Sequence, residues 1–274
     1  ISLYSLLVSE RSDGYFRMVA ALMPTTPPSF PAPHCTMYKL VLVRHGESEG
    51  DVRRKLGTSA LIHPNDEKQT EAGHIQSQLT GRWIAKYIMQ VYGFEKFDSY
   101  LTSPLIRTKQ SAESLGLSSS WAEEPRLTER NRGDIQGLTK RRHKEEYPDS
   151  YQAMLDHPFY WVPPGGESIL AVSHRFGELV DNLTNTNNVL IMTHRDVLWA
   201  AHVPLDRLAL DKMEDVDTDS IHNGQVIHYT NINPTSGAVE SMELAWKRSV
   251  NPSSDALANE LNDWFQIVEP SVQV

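Results

Sequence analysis

Two short runs of consecutive apolar residues dominate the hydrophobic pattern of this chain. They lie at residues 40–43 and 189–192, and each is followed closely by polar residues. Runs of this length that are rich in β-branched residues and leucine are typical of strands covered on both faces, as in the parallel sheets of α/β proteins. We therefore predict that both runs form buried strands of a parallel sheet.

Segments with helical spacing alternate with further strand-like segments. We predict strands at 99–102 and, as a short edge strand, at 119–124, whereas residues 49–69 are predicted to be irregular. Residues 224–230 and 238–246 alternate in a pattern typical of a hairpin. Helical spacing predicts helices at 70–91 with Thr70 as N-cap, at 105–116, at 139–156 with a break at Pro148, at 167–183, and from 197 onwards. This alternation predicts a three-layer α/β/α sandwich with a mostly parallel central sheet.

Composition narrows the class of protein. Apolar residues make up 39% and charged residues 22% of the 274 residues, as in ordinary globular proteins. The net charge of −9 argues against a nucleic-acid partner, and no apolar run reaches the length of a membrane span. Since Cys35 is the single cysteine, no intramolecular disulfide is available, and a cytoplasmic location is expected. The sequence is compatible with a homo-oligomer.

Five prolines between residues 24 and 33 set the N-terminal part of the chain apart. Such a density favours extended or disordered chain over packed structure. We predict a flexible, proline-rich segment at residues 1–36 and one folded domain at residues 37–270.

Cationic and imidazole side chains follow the predicted strands. His45 and His194 each follow a buried run, Arg44 precedes His45, and Arg107 lies in the first turn of a predicted helix. Ligands of open α/β sheets bind beyond the carboxyl ends of the strands, where these groups would meet. Arginine pairs bidentately with phosphate oxygens, and a neutral imidazole is a nucleophile toward phosphorus. Glu129, in a loop, is the best-placed carboxylic acid to protonate a leaving group.

The sequence resembles the histidine phosphatase superfamily, whose fold is phosphoglycerate mutase-like. The resemblance rests on Arg44-His45-Gly46-Glu47-Ser48, Thr70-Glu71-Ala72-Gly73-His74-Ile75-Gln76, Ser103-Pro104-Leu105-Ile106-Arg107-Thr108, Leu127-Thr128-Glu129-Arg130, Gly165-Gly166-Glu167-Ser168 and Thr193-His194. It implies that His45 is the phosphorylated nucleophile and Glu129 the acid–base residue. Arg44, Arg107 and His194 would hold the phosphoryl oxygens of a small phosphate ester, with no metal or cofactor. We also expect Gly46, Ser48 and Arg195 to contact the substrate.

Two positions depart from the family pattern. Asp51 stands where the family often has asparagine and would add negative charge near a phosphate, and Arg195 stands where a small or neutral residue is common. The short connection between Gly137 and Gly165 lacks the long insertion of the cofactor-dependent mutases, which favours hydrolysis. A mutase, or a phospho-ligand-binding scaffold with little turnover, remains the alternative.

Two further interpretations stay open at this point. Glu123, Glu124 and Glu167 are alternatives to Glu129 as the acid. The basic run at 140–144 is interpreted either as a solvated helix face or as a site for a second anionic group of the substrate.

Overall fold

The apolar run that opens the sequence pattern forms the middle strand of a seven-stranded sheet. The computed structural model describes residues 39–58, 64–183, 186–216, 218–240, 243–253 and 264–267. The predicted flexible segment at 1–36 lies outside the described residues. The strands are β1 (Lys39–Arg44), β2 (Ser99–Thr102), β3 (Ala122–Glu123), β4 (Asn188–Thr193), β5 (Val226–Thr230), β6 (Trp246–Val250) and β7 (Phe265–Gln266).

The sheet order is β3-β2-β4-β1-β5-β6-β7. Strands β1 to β4 pair in parallel, whereas β5, β6 and β7 add to one edge in antiparallel pairs, so that five of the seven strands point the same way. The predicted α/β fold with a mostly parallel central sheet is confirmed.

Helices cover both faces of this sheet. The α-helices of the described segments are α1 (Glu49–Leu56), α2 (Glu71–Ile84), α3 (Gln90–Tyr92), α4 (Ile106–Leu115), α5 (Lys140–Glu146), α6 (Pro148–Asp156), α7 (Ile169–Asn182), α8 (Arg195–Ala200) and α9 (His202–Asp206). A π-helical turn, Ala85–Met89, joins α2 to α3, so the helix predicted at 70–91 is continuous. Thr70 is its N-cap, because the Thr70 side chain accepts a hydrogen bond from the Gly73 N–H.

Strand β1 packs its side chains on both faces of the sheet. All six residues of β1 are buried. Val41 and Val43 pack in one cluster with Ile84 and Ile88 of the α2 segment and Leu115 of α4. The alternate residues Leu40 and Leu42, fully buried as well, point to the opposite face because side chains alternate along a strand. The sheet is therefore covered on both sides, as its continuous apolar strands require.

Register between β1 and β4 fixes the position of the two histidines. Arg44 is the partner of Thr193, and the His45 N–H donates to the Thr193 carbonyl at 3.0 Å. His45 and His194 therefore follow paired residues on adjacent strands. In the same way Thr102 of β2 is the partner of Met192, which brings Ser103 beside His194.

The stretch 49–69, predicted to be irregular, contains a helix, and that prediction is wrong for α1. Only Val52 and Leu56 of its eight residues are apolar, so hydrophobic periodicity gives little signal for it. It is held instead by a capping box: Ser48 accepts from the Asp51 N–H, and the Asp51 carboxylate accepts from the Ser48 N–H.

The second strand of the predicted hairpin is also misplaced. The partner of β5 is β6 at Trp246–Val250, whereas residues 238–246 lie mostly before it. Arg248 makes β6 look polar in sequence, but it is only 5% exposed because its guanidinium lies between the rings of Trp83 and Trp264, 4.8 and 4.7 Å from the ring centroids.

Helices α2 and α4 approach closely at Gly81. A Cβ built on Gly81 would lie 2.0 Å from the Leu115 carbonyl oxygen, which is backbone and cannot move aside as a side chain can. Only glycine therefore permits this helix–helix distance.

Gly81→Ala tests this packing. Alanine in a helix interior normally gains about 1 kcal/mol over glycine. We expect a loss of about 1–3 kcal/mol here, because the methyl group forces the helices apart. Urea unfolding measures the change, with Gln78→Ala on the exposed face of α2 as control. An unfolding midpoint equal to or above that of the parent protein would contradict the close-packing argument.

Candidate active site

His45 is a buried imidazole whose tautomer is set from both sides. Nδ1 lies 2.7 Å from the Gly46 carbonyl oxygen, which only accepts, so Nδ1 carries the proton. The Arg107 Nε–H, which only donates, lies 3.3 Å from Nε2, so Nε2 presents its lone pair. Burial, acting with the cations Arg107 and Arg44 against Asp51, lowers the pKa of His45 to about 3. The ring is therefore neutral at physiological pH.

Arg107 is held by the first turn of α4, as the sequence predicts. It is 5% exposed, and the same helix turn touches the loop after β1: the Gly46 N–H donates to Ser111 Oγ, which donates to the Arg107 carbonyl. The helix itself begins at Ile106, with Leu105 as a cap that makes no side-chain hydrogen bond. Arg107 therefore has a fixed position relative to His45.

Arg44 ends β1 and is anchored by two groups. Its Nη1 donates to the Ile221 carbonyl at 2.6 Å, and its Nη2 donates to Asp51 Oδ1 at 2.9 Å. Its Nε is buried and has no hydrogen-bond partner within the described part of the chain. The Nε–H donor is thus left available in a buried position.

Asp51 is a buried partner of cations, rather than an unpaired charge facing a phosphate. Oδ1 also accepts from Arg54 at 3.0 Å, and Oδ2 lies 3.9 Å from His45 Nδ1 and accepts from Asn223 Nδ2 at 3.1 Å. Burial alone would raise the pKa of Asp51. His45, Arg44, Arg54 and the Ser48 N–H together outweigh burial and hold this pKa well below its usual range.

Gly46 and Ser48, both expected to contact substrate, have structural partners. A Cβ on Gly46 would lie 2.3 Å from the Gly73 carbonyl oxygen, so the need for glycine comes from packing against the start of α2. The Ser48 hydroxyl donates to Asp51 Oδ2 at 2.8 Å and is 2% exposed. The geometry therefore engages Ser48 in the cap of α1.

His194 lies beside His45, with ring centroids 5.2 Å apart, and is fully buried. Its Nε2 is 2.8 Å from Ser103 Oγ, and its Nδ1 has no hydrogen-bond partner in the described segments. Burial, followed by Arg107, His45 and Arg44, lowers the pKa of His194 well below its usual value. A second neutral imidazole therefore borders the space next to His45.

Of the four candidate acids, Glu129 alone is placed against the histidine pair. Its Oε2 lies 4.0 Å from His194 Nδ1. Glu123 pairs with Lys109 at the surface, Glu124 pairs with Arg126, and Glu167 pairs with Arg175. The structure thus separates Glu129 from the alternatives that the sequence leaves open.

The loop that carries Glu129 is tied down on both sides. Arg175 of α7 donates to the Thr128 carbonyl at 2.6 Å and also to the Arg126 carbonyl. Arg130 donates to the Glu167 and Trp161 carbonyls, each at 2.8 Å. Burial, together with the charge of Asp196, raises the pKa of Glu129 above its ordinary value, although Arg107 and Arg132 act in the opposite direction. The Glu129 side chain is still 22% exposed, whereas His194 beside it is fully buried.

Arg195 begins α8 at the edge of this group. Its Nε donates to Asp196 Oδ1 at 3.3 Å, and its side chain is 28% exposed. Burial and the charge of Arg195 lower the pKa of Arg44, whereas Asp51 acts in the opposite direction. Arg195 is therefore near the cluster without entering its buried part.

Sequence reasoning missed four residues of this site: Ser103, Arg132, Asp196 and Asn223. Asp196 is 2% exposed and accepts from Arg132 Nη2 at 2.8 Å. Ser103 lies within one recognised motif and Asp196 lies two residues after another, so their position in sequence was a usable signal. Asn223, which donates to the His45 carbonyl and to Asp51, comes from a loop far along the chain that has no such signal.

The basic run at 140–144 forms most of α5. Arg141 pairs with Glu145 and Arg142 with Glu146, each four residues on along the same helix, whereas His143 is buried. These exposed pairs are those of a solvated helix face.

The arrangement combines two neutral imidazoles, two buried guanidinium groups and one carboxyl group of raised pKa. Guanidinium groups bind phosphate oxygens, and the unprotonated Nε2 of His45 is a nucleophile. In the described portion of the chain, no group of three or more His, Cys, Asp or Glu side chains is arranged to hold a metal ion. None of the described helices has the length and apolar character needed to cross a membrane.

Residues 40–241 match the family model of the histidine phosphatase superfamily (branch 1). The chain belongs to this superfamily. The resemblance inferred from the six motifs is therefore confirmed.

Relatives within the superfamily have several activities. The chain is 28% identical over 207 residues to a 2,3-bisphosphoglycerate-dependent phosphoglycerate mutase of Bartonella tribocorum. The matched region covers 72% of this chain and 93% of the relative. It is 27% identical over 170 residues to a 6-phosphofructo-2-kinase/fructose-2,6-bisphosphatase of Arabidopsis thaliana, covering 62% of this chain and 21% of that protein.

Solved structures show the same fold. A mycobacterial glucosyl-3-phosphoglycerate phosphatase superposes with a TM-score of 0.58 at 22% identity, over 71% of this chain and 90% of its own. A putative alpha-ribazole-5'-P phosphatase of Escherichia coli gives a TM-score of 0.57 at 23% identity, over 76% and 96% of the two chains. At these identities, the structures establish the histidine phosphatase fold.

Asp51→Asn is expected to lower stability in a pH-dependent way. The folded-state pKa of Asp51 lies below its unfolded value, so its stabilisation is present above the unfolded pKa and is lost as pH falls. We expect a loss of about 3–5 kcal/mol at pH 7, because Arg44 is left buried without its carboxylate. The difference from the parent protein should shrink below about pH 4.

Urea unfolding at a series of pH values measures this dependence. Ser48→Ala is the matched control, since it removes a cap worth about 1 kcal/mol without removing a charge. A stability difference for Asp51→Asn that is constant from pH 7 to pH 3 would contradict the ion-pair argument.

Proposed function

We propose that the protein is a metal-independent phosphatase that hydrolyses small phosphate monoesters through a phosphohistidine on His45. The observation that carries this proposal is the tautomer of His45: the Gly46 carbonyl holds the proton on Nδ1, so the lone pair is on Nε2. The Arg107 Nε–H, which lies 3.3 Å from Nε2, would turn to a phosphoryl oxygen when substrate binds and so free this lone pair. A buried imidazole whose pKa is about 3 needs no deprotonation before it attacks.

In the first step, His45 Nε2 attacks phosphorus and the P–O bond to the leaving group breaks. Glu129 donates its proton to the departing oxygen and becomes a carboxylate. The N–P bond leaves the ring with its Nδ1 proton and a positive charge. Asp51, whose Oδ2 is 3.9 Å from Nδ1, stabilises that charge.

In the second step, water attacks the phosphohistidine. The Glu129 carboxylate takes a proton from this water as the new P–O bond forms, and the N–P bond breaks to restore neutral His45. Inorganic phosphate is released, and Glu129 is again protonated for the next cycle.

Arg44, Arg107 and His194 would stabilise the transferring phosphoryl group. The buried and unpartnered atoms Arg44 Nε and His194 Nδ1 support this assignment, because buried polar atoms of proteins normally have a hydrogen-bond partner. Phosphoryl oxygens would supply the acceptors in a site of low dielectric, where such interactions are strong. Gly46, Ser48 and Arg195 remain predicted substrate contacts.

Hydrolysis is favoured over mutase activity by the chain between Gly137 and Gly165. This connection consists of the short helices α5 and α6 and one loop. Phosphoglycerate mutase activity is the second candidate, since the relative from Bartonella tribocorum is named as such a mutase. We also propose a cytoplasmic location, which rests on the single cysteine.

Loss of His45 should abolish turnover. We expect His45→Ala to lower kcat/KM for p-nitrophenyl phosphate by about 10³-fold or more. The parent protein should be equally active with EDTA present, and an alkaline quench with labelled substrate should trap phosphate on the parent chain only. The exposed His157, changed to Gln, is the control.

Activity that survives loss of His45, or that needs a divalent metal, would overturn the proposal. Assays with 3-phosphoglycerate, with and without a bisphosphate primer, distinguish the candidates. Primer-dependent formation of 2-phosphoglycerate would establish the mutase, whereas release of inorganic phosphate supports the phosphatase.

The effect of Glu129→Gln should depend on whether the leaving group needs a proton. We expect kcat/KM to fall by about 10²–10⁴-fold for phenyl phosphate, whose leaving group needs a proton. The loss for p-nitrophenyl phosphate should be much smaller, since p-nitrophenolate departs unprotonated. Glu123→Gln, in a surface ion pair, is the matched control. Equal losses for both substrates would exclude Glu129 as the acid.

A further inference from the structure

Asp196 is a buried carboxylate that the proposed reaction does not use. It lies in the first turn of α8, two residues after His194, and is 2% exposed. Its Oδ2 accepts from Arg132 at 2.8 Å and its Oδ1 from Arg195 at 3.3 Å. Burying a charge is costly unless it is paired, so a role is expected for this group.

The Asp196–Arg132 ion pair joins the two segments that carry the acid and the second histidine. Arg132 lies three residues after Glu129 in the same loop, and Asp196 lies two residues after His194. Glu129 Oε2 is 4.0 Å from His194 Nδ1. The Glu129 loop therefore contacts the start of α8 at two points: Arg132 pairs with Asp196, and Glu129 lies against His194.

We propose that Asp196 and Arg132 are positioning residues that fasten Glu129 against His194 and, through their opposite charges, set the pH range over which Glu129 can act as the acid. The inference rests on the proposed function and goes beyond it, because it assigns control of the acid to a charge pair outside the phosphate-binding groups. When two neighbouring carboxyl groups have different environments, their pKa values move apart, and one can stay charged while the other holds its proton.

Several charges act on Glu129. Arg107 from α4 and Arg132 from its own loop favour the carboxylate, as does the Arg130 N–H, which donates to Oε1 at 3.0 Å. Asp196 from α8 opposes them, in addition to burial, and the pKa of Glu129 is raised as a result. Arg44 of β1 also interacts with Glu129. The pKa of Asp196 itself stays well below its usual range, because Arg132 and Arg195 outweigh its burial.

Opposite substitutions should therefore move the acid in opposite directions. Asp196→Asn removes the repelling anion, so the pKa of Glu129 falls and activity is lost at a lower pH. Arg132→Gln removes a cation and leaves Asp196 in place, so the pKa of Glu129 rises and activity persists to a higher pH. A merely structural role would not produce two shifts of opposite sign.

The experiment is the pH profile of kcat/KM for phenyl phosphate with the full-length protein. We expect the alkaline limb to move down by on the order of one pH unit in Asp196→Asn and up by a similar amount in Arg132→Gln. The double variant should return toward the parent profile. Arg141→Gln, which removes a solvated arginine of α5, is the control and should leave the limb in place.

The outcomes separate this inference from the proposed function. An alkaline limb that persists in Glu129→Gln would overturn Glu129 as the acid, and this inference with it. A limb that is lost in Glu129→Gln, yet stays in place or moves the same way in both single variants, would overturn the inference alone. If Asp196→Asn does not fold, Arg132→Gln decides: an upward shift supports the inference, and an unchanged limb overturns it.

Discussion

The hydrogen-bonded register between β1 and β4 is the constraint on which the rest of the site depends. Because Arg44 is paired with Thr193, His45 and His194 leave the sheet side by side. A shift of one residue would turn every side chain of β1 to the other face and separate the rings. The two strands are fully or nearly fully buried, which fixes this register through the packing on both faces.

The pKa shifts in the site follow from burial and from which carboxylates are paired with arginines. Two carboxylates, Asp51 and Asp196, stay charged because each accepts from two arginines. The third, Glu129, accepts a backbone N–H and no side-chain donor among the described residues, and its pKa is raised. The histidines are kept neutral by burial first and by neighbouring cations second. The pKa values of neighbouring carboxyl groups are thus shifted in opposite directions within one site.

The sequence predicted what depends on local pattern and missed what depends on distant partners. Strands β1 and β4 were predictable because short continuous apolar runs are typical of buried strands. The two histidines were found because each follows one of these runs. Helix α1 was missed since its stability comes from the Ser48–Asp51 cap. Strand β6 was missed because Arg248 is buried by Trp83 and Trp264, which come from other parts of the chain. Distances to His194 were needed to select Glu129 among four glutamates.

The cap of α1 links local folding to the phosphate-binding groups. Asp51 closes the capping box and also holds Arg44, so fraying of this polar helix would remove one of the two anchors of the guanidinium and leave the Ile221 carbonyl as the other. Helix ends open far more often than a protein unfolds globally. A local opening of about two helical turns would therefore loosen Arg44 without global unfolding of the protein. Amide hydrogen exchange in α1 would report on that opening more directly than the melting temperature of the whole chain.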